Sequence, residues 1–589
     1  MEYQLIEPLL PQNNVTAVER VLTNRGILLE NIEHYLHTTD DDIVDPKTIM
    51  NVKEGATILI QHISQNDDVL VQIDSDCDGY TSSATLINYL YSLFPGFVKN
   101  HIYYRIHSGK QHGIIPETVP DNIKLVIAPD SSSNDYEEHR VLREKGIDVL
   151  VIDHHEADSI SENAIIINNQ LCDYPTKSLS GVGMVYKFCS YIDELLGMHN
   201  ADQFLDLVAL GMVADMMDLR DYETRHLVTK GLANIRNPYF KGMVQTQNFS
   251  ISKHGGLDPF AISFYIAPQV NATIRVGTQE EKLMLFESML DYRGYEQVPS
   301  TKRGCKGQTE TRVEQACRNC LNIKNRQTKA RDTSLSVIEQ IIEENNLLNH
   351  KFLVVKLESD YSTDRNLTGL IANQLMAKYQ RPVLLLNKVT NSETGEVSWE
   401  GSGRGYDKSK FDNLREYLKS TDLVMYAEGH ANALGVGVRD DNFSKLIDKS
   451  DYDLKDYDFT PCYKVDIIFK GFDFNGKDII DLAELKSVWG QGVEEPFVAV
   501  EDIKVTKNNL QLMSADKNPT LKITLPNGTS LIKFRSSKEE YESLLSDSDL
   551  GCVTINVVGK CERNVWNGSI TPQIIIEDYE IVGSTQYYF

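Results

Sequence analysis

Three short apolar runs in this chain each break off at aspartate. Val69–Ile73 is followed by Asp74, Asp76 and Asp78, Leu125–Pro129 by Asp130, and Val149–Ile152 by Asp153-His154-His155. A run of four to eight apolar residues, rich in Val, Ile and Leu and bounded by polar ones, has the pattern of a strand buried on both faces. Helix-length segments separate these runs and a fourth, Ala164–Ile167, so the pattern is α/β, with helices crossing between the strands of a parallel sheet. Open sheets of this kind place their active sites beyond the carboxyl ends of the strands, which is where the aspartates fall. Oxygen ligands alone suit magnesium or calcium, whereas carboxylates mixed with imidazole favour a transition metal such as manganese. The chain reads as one built around a metal site.

At 589 residues the chain exceeds what one core covers, and three or four domains are expected. Its net charge of −26 argues against indiscriminate nucleic-acid binding, though a total says nothing about local grooves. Nine Cys are sparse for this length, and no charged-then-apolar leader opens the sequence, so a reduced cytoplasm is the expected setting. No apolar stretch approaches the roughly 18 residues of a membrane helix.

Residues 1–50 read as a peripheral lead-in, 51–250 as the parallel-sheet domain, and 251–345 as a connecting helical segment. Between Lys302 and Arg331 nine Lys or Arg face two Glu, Glu310 and Glu314, and apolar residues recur at helical spacing, which predicts a long basic helix. Cys317 and Cys320 with Cys305 lack a fourth ligand nearby, so packing is preferred over zinc. Residues 346–460 repeat an α/β pattern on a smaller scale and end in glycine-rich turns. From 461 to 589, alternating runs such as Phe497–Val505 and Val553–Val558, with Pro526-Asn527-Gly528 as a turn, predict a small antiparallel barrel.

If the first strand continues through Asp74, Asp76 and Asp78, their carboxylates project to one side and repel unless a cation neutralises them. A calcium loop is disfavoured because Thr85 stands where its bidentate Glu belongs. A solvated turn is disfavoured by the apolar run before it. Adjacent His154 and His155 diverge on extended backbone, so one can ligate while the other faces elsewhere. Such a pair alone is incidental about three times in four, given how readily short motifs arise by chance, but its company here reverses that. Asp215, closing the apolar stretch after Asp206, is favoured as a further strand-end partner over Asp206 and Asp218.

Taken together these residues resemble the DHH phosphoesterase superfamily, and the remainder narrows the resemblance to the RecJ single-strand-specific exonucleases. Leu179-Ser180-Gly181-Val182-Gly183 is similar to the family's glycine turn before a helix. The stretch from Ala267 to Gly277, with Asn271 and Arg275, resembles a RecJ signature. Gly401-Ser402-Gly403-Arg404 and Glu428–Gly435, with His430, resemble the DHH-associated domain. Gly490–Phe497 and Trp566-Asn567-Gly568 resemble the family's OB barrel. The resemblance spans about residues 60 to 589, with two departures: Ser131-Ser132-Ser133 stands where the family has a small residue and glycine, and Met216-Met217-Asp218 where apolar residues and proline are common.

The resemblance implies two Mn2+ or Mg2+ ions held by Asp76, Asp78, Asp130, His154 and Asp215, with Asp74 and Asp153 ligating or orienting and His155 donating to the scissile phosphate. Asn271, Arg275, Arg404 and His430 would hold the strand and His112 could touch it, while the local positive charge of Lys302–Arg331 adds Lys324 and Arg326 as backbone contacts. The resemblance also implies a monomer that degrades single-stranded DNA from the 5′ end in recombination or repair, near a single-strand-binding protein or helicase. Two rivals stand beside this reading. One is a phosphodiesterase of short oligonucleotides or cyclic dinucleotides, and the other a catalytically silent replication scaffold.

Overall fold

Burial on both faces is what the apolar runs require, and it is what they obtain. In the computed structural model, which describes residues 1–6, 15–108, 111–358, 365–391, 394–411, 413–471, 474–514, 518–546 and 551–586, the chain divides into two compact units. One comprises Arg25–Asn325 and Leu485–Glu495. Its five-stranded sheet runs in the order Ile102–Ile106, Asp68–Ile73, Ile123–Pro129, Asp148–Asp153, Ile165–Asn168, every pairing parallel. Leu70, Val126, Val149, Val151 and Ile166 pack on one face with Leu142 of the Tyr136–Glu144 helix. On the other face Gly55 of the Val52–Gln65 helix lies against Leu150, Ile167 and Phe188, so closely that a Cβ there would sit 2.7 Å from the Ile167 side chain. Parallel register, with Pro129 opposite Ile152 and Asp153 opposite Asn168, brings the strand ends to one rim.

The lead-in is not peripheral. Val21, Leu22 and Tyr35 are fully buried, the Tyr35 hydroxyl donates to the Leu219 carbonyl, and the Arg225 guanidinium donates to the Tyr35 carbonyl. The basic helix starts later and ends later than expected: it runs Arg312–Glu344, and Lys302, Arg303 and Lys306 lie in turns before it and beside the short strand Thr309–Thr311. Part of its charge is spent internally, because Arg312 pairs with Glu287 and Glu296, Arg318 with Glu310 and Arg331 with Asp332. Cys317 and Cys320 are buried free thiols packed against Tyr239. No described helix is long and apolar enough to cross a membrane.

The second unit comprises Met1–Asn24, Arg326–Glu484 and Pro496–Phe589. Strand Glu2–Leu5 pairs in parallel with Cys462–Val465. A five-stranded sheet in the order Val424–His430, Ala433–Arg439, Val397–Arg404, Val383–Thr390, Leu353–Leu357 carries the smaller α/β pattern. The carboxyl-terminal sheet has seven strands and is mixed rather than antiparallel: Ile467–Lys470 runs parallel to Phe497–Val505, and Ser530–Lys533 parallel to Ser569–Gln586. It matches an OB-type barrel in kind.

Within the first unit, Lys187 is fully buried and its ammonium lies 2.7 Å from Glu223 Oε1. Glu223 also accepts from the Tyr174 hydroxyl and the Val44 amide. Removing one member of a buried, hydrogen-bonded pair strands the other charge, at a cost of about 3–5 kcal/mol. Lys187→Met is therefore expected to lower the urea midpoint by a corresponding amount, and the double variant Lys187→Met/Glu223→Leu to recover much of it.

Candidate metal centre

The first acidic cluster is not an extended ladder. The strand ends at Ile73, Asp76 caps the Cys77–Leu93 helix by accepting from the Gly79 amide at 2.9 Å, and Asp78 sits in that helix's first turn. The chain turns because the sheet ends where polar residues begin, and aspartate is a good cap for the exposed amides of a helix start. Asp215 is likewise no strand end: it closes the Leu205–Ala214 helix. The neighbours set aside for it have structural employment, Asp206 accepting from the Arg236 and Asn237 amides and Asp218 pairing with Arg220.

These elements bring the side chains together. His154 Nε2 lies 3.2 Å from Asp130 Oδ1, 3.4 Å from Asp215 Oδ2 and 4.0 Å from Asp78 Oδ2. Potential ligand atoms cluster within 4.8 Å of one another in three overlapping sets: Asp78, His154 and Asp215; Asp74, Asp76 and Asp130; and Asp130, Asp153, His154 and His155. Asp130 and His154 each belong to two. Asp78 Oδ2, both Asp130 oxygens and His154 Nε2 are buried without a hydrogen-bond partner. Buried polar atoms are seldom left so, and a cation is the one group that would satisfy three carboxylate oxygens and an imidazole nitrogen at once. The donor set fits a divalent metal.

Electrostatics agree. Burial, with Asp78 next, pushes the Asp76 carboxyl up to about 6 and that of Asp215 up to about 8, and drives Asp130 well above the carboxylate range. Burial lowers His154, leaving a neutral imidazole suited to ligation. His155 moves oppositely: the hydrogen bond from its Nδ1 to Asp153 Oδ1, at 2.8 Å, raises it to about 9. Burial works against ionisation of Asp153, but His155, with smaller contributions from Ser133 and His154, outweighs it and holds that carboxyl far below its ordinary value. Asp153 also accepts from the His154 and His155 amides, so its oxygens are committed to orienting the two histidines.

Several contributors escaped the sequence reading. Ser180 Oγ and the Val182 amide, at the start of the Gly181–Leu196 helix, donate to Asp78 Oδ1 at 2.9 and 3.2 Å. Asn168 Nδ2 donates to the Ser133 hydroxyl and the His155 carbonyl. His112, considered a substrate contact, has its Nδ1 2.9 Å from Asp74 Oδ2 and its ring largely exposed. A Cβ on Gly181 would come 2.3 Å from Asp130 Oδ1, and one on Gly211 2.5 Å from Asp78 Oδ1, so both glycines hold space for carboxylates. Asp130 and Ser132 have φ of 66° and 80°. Ser132 thus takes, at a cost of about 1–2 kcal/mol, the left-handed backbone that a glycine would adopt freely, and Asp130 is still presented inward.

Of the remaining candidates, Asn271 and Arg275 lie on the Ala267–Val276 helix, which packs against Cys77–Leu93. Lys324 is half-buried and Arg326 exposed on the Arg312–Glu344 helix. Arg404 and His430 belong to the second unit, where both stand opposite Ala433 in register; His430 is exposed.

Residues 68–212 match the model of the DHH family, N-terminal domain, and 466–578 that of the RecJ OB domain. The SPbeta prophage-derived protein YorK of Bacillus subtilis (strain 168), named as a single-strand DNA-specific exonuclease, is 36% identical over 592 residues, spanning 100% of this chain and 99% of the relative. The chain belongs to the RecJ-like family within the DHH superfamily. The single-stranded-DNA-specific exonuclease RecJ of the same bacterium is 27% identical, over 97% of this chain and 69% of its own length. RecJ of Thermus thermophilus, solved in complex with Mn2+, shares the fold at a TM-score of 0.67 and 18% identity, covering 99% of this chain and 80% of that one. It has also been solved in complex with Mg2+. These matches show the α/β fold, the DHH domain and the OB domain of this RecJ-like chain.

Two outcomes are expected of this centre. Gly181→Ala should displace Asp130 and weaken Mn2+ binding by about 10- to 100-fold, the range for disturbed support of a ligand, as titration calorimetry would show. The pH response follows from the raised carboxyls. A group whose folded pKa lies above its unfolded value, about 4 for Asp, stabilises fully below that value and loses its contribution as pH rises through the folded pKa. The metal-free protein should therefore lose thermal stability as pH rises through the Asp76 and Asp215 transitions at about 6 and 8. Added Mn2+ binds the deprotonated carboxylates, so the rise in Tm that it produces should grow over the same window.

Proposed function

We propose that this chain is a metal-dependent exonuclease that hydrolyses single-stranded DNA from the 5′ end and releases 5′-mononucleotides. The observation that carries this is the set of buried, unpartnered donors on Asp78, Asp130 and His154 in a chain of the RecJ-like family. Mn2+ or Mg2+ is the cofactor; the imidazole among the carboxylates favours manganese. When bound, such a pair of ions lowers the pKa of an attacking water and offsets charge on the phosphorus centre.

The chain's own residues do the rest. Asp76, Asp78, Asp130, His154 and Asp215 are the ligands, and Asp74, engaged by His112, shapes their outer rim. Asp153 fixes His155 as an imidazolium, 55% exposed, whose free Nε2–H can donate to a non-bridging phosphate oxygen and stabilise its growing charge. Asn271, Arg275, Lys324, Arg326, Arg404 and His430 hold the sugar–phosphate backbone. The reading assigns 51–250 to the DHH domain, 346–460 to the associated domain and 461–589 to the barrel. It sets the protein to work as a cytoplasmic monomer in recombination or repair, beside a single-strand-binding protein or helicase. The 5′-to-3′ direction rests on the family. A silent scaffold is disfavoured because no proposed ligand has been lost, and a dinucleotide phosphodiesterase because the chain carries an OB domain.

Incubating 5′- and 3′-labelled single strands with Mn2+ reports activity, direction and product size together. Asp78→Ala and His154→Ala should each reduce the rate by more than about 100-fold, beyond the loss typical of outer supporting groups. Retained activity in both would remove the assignment, and cleavage of dinucleotides in preference to long strands would favour the rival enzyme.

A further inference from the structure

On the segment that leads into the Ala267–Val276 helix, three rings form a column. The His254 and Phe260 rings stack at 4.4 Å with their planes 15° apart, and Phe260 and Phe264 stack at 4.2 Å and 21°. Tyr265 meets both His254 and Phe260 edge-on, bracing the inner end. His254 is fixed by Asp258, its Nε2 2.8 Å from Oδ2. The outer ring is different: Phe264 is 62% exposed. One of its faces is spent on Phe260 and the other is open.

The backbone here is unusual. Ile262–Ile266 is a π-helical turn, and such single turns are frequent at functional sites. The turn packs against the Leu205–Ala214 helix, whose end carries Asp215, so the column is tied through one helix to a proposed metal ligand. Its charge surroundings also depart from the rest of the protein. Between Glu223 and Glu280 the only carboxylate is Asp258, and that one is buried against His254, while Lys253 and Arg275 in the same stretch are exposed. In a chain of net charge −26 this is a place where a polyanion meets no repelling neighbour from the same stretch.

We infer that the open face of Phe264, backed by Phe260 and His254, is a stacking platform for a base of the single strand held at the metal centre. The inference rests on the proposed nuclease reading and names how that site grips its substrate away from the phosphates. An aromatic ring accepts any base because every base has a π-face, so the platform contributes affinity without sequence preference. A rigid column suits the task, because a ring already ordered by its neighbours loses little freedom on stacking.

The test uses the full chain in EDTA, so that binding is measured without cleavage, and a fluorescent oligothymidylate compared with the same strand made abasic. Phe264→Ala should weaken binding of the intact strand by about fivefold or more, with Tm unchanged because the ring is largely outside the core. Phe264→Trp should bind within about twofold of the parent, since it keeps a π-face for stacking. Binding of the abasic strand should be indifferent to Phe264→Ala. A 2-aminopurine strand quenched by the parent and not by Phe264→Ala would support the contact directly. Equal affinities for parent and Phe264→Ala, or equal losses on intact and abasic strands, would overturn the platform while leaving the nuclease reading intact. Loss of self-association in Phe264→Ala, with DNA affinity unchanged, would reassign the face to protein contact and overturn it too. A parent that neither binds nor cleaves single strands would remove the function and the platform with it.

Discussion

Mutual repulsion among buried carboxylates is the constraint on which this fold turns. Asp74, Asp78, Asp130 and Asp153 are all nearly inaccessible to solvent, and the rim they occupy is lined by low-dielectric side chains of the sheet and its helices. Ionised together and uncompensated they would cost more than a domain's net stability can bear. The protein meets this in two ways. Asp153 is fully hydrogen-bonded and paired with His155, and Asp76 and Asp78 each receive backbone amides at helix starts, where the partial positive charge of the helix favours an anion. Asp130 and the second oxygen of Asp78 receive nothing, and it is these atoms that call for a cation.

The surrounding structure is arranged so that this strain has no easy escape. Gly181 and Gly211 fill the space where a side chain would displace Asp130 or Asp78. The left-handed turn through Asp130 and Ser132 is held by the hydrogen bond from the Asp130 amide to the Ile152 carbonyl of the neighbouring strand. Strained backbone of this kind persists only when neighbours over-determine it. The carboxylates therefore cannot swing into solvent when the cation leaves, and a preorganised centre is the consequence. Ligands held this way need no rearrangement to receive metal, which is how binding energy is kept for the reaction.

The other half of the function lies in surfaces rather than ligands. An acidic chain that acts on a polyanion needs local relief, and the sequence supplies it in two stretches with different fates. In Lys302–Arg331 part of the positive charge, that of Arg312, Arg318 and Arg331, is paired with Glu287, Glu296, Glu310 and Asp332. In the stretch between Glu223 and Glu280 relief comes from the absence of acid, and the contact offered is aromatic. Charge counts along a sequence do not distinguish these cases, because pairing partners such as Glu287 come from outside the window.

Sequence alone determined the elements whose signal is local. Apolar runs ending at Asp74, Asp130 and Asp153 fix a parallel sheet and its functional rim, since strand burial and the polar break are both written in adjacent residues. The same holds for the strands of the carboxyl-terminal barrel. What only tertiary structure decided was whatever depends on a partner remote in the chain. Asp76 caps a helix, Asp215 ends another, His112 meets Asp74, and Ser180, some hundred residues on, anchors Asp78. The parallel pairs in the last sheet, the burial of Tyr35 and the ring column at Phe264 belong to the same class. Periodicity reports which face of an element is apolar; the distance between two side chains is set by how several such faces pack, and no window of sequence contains that.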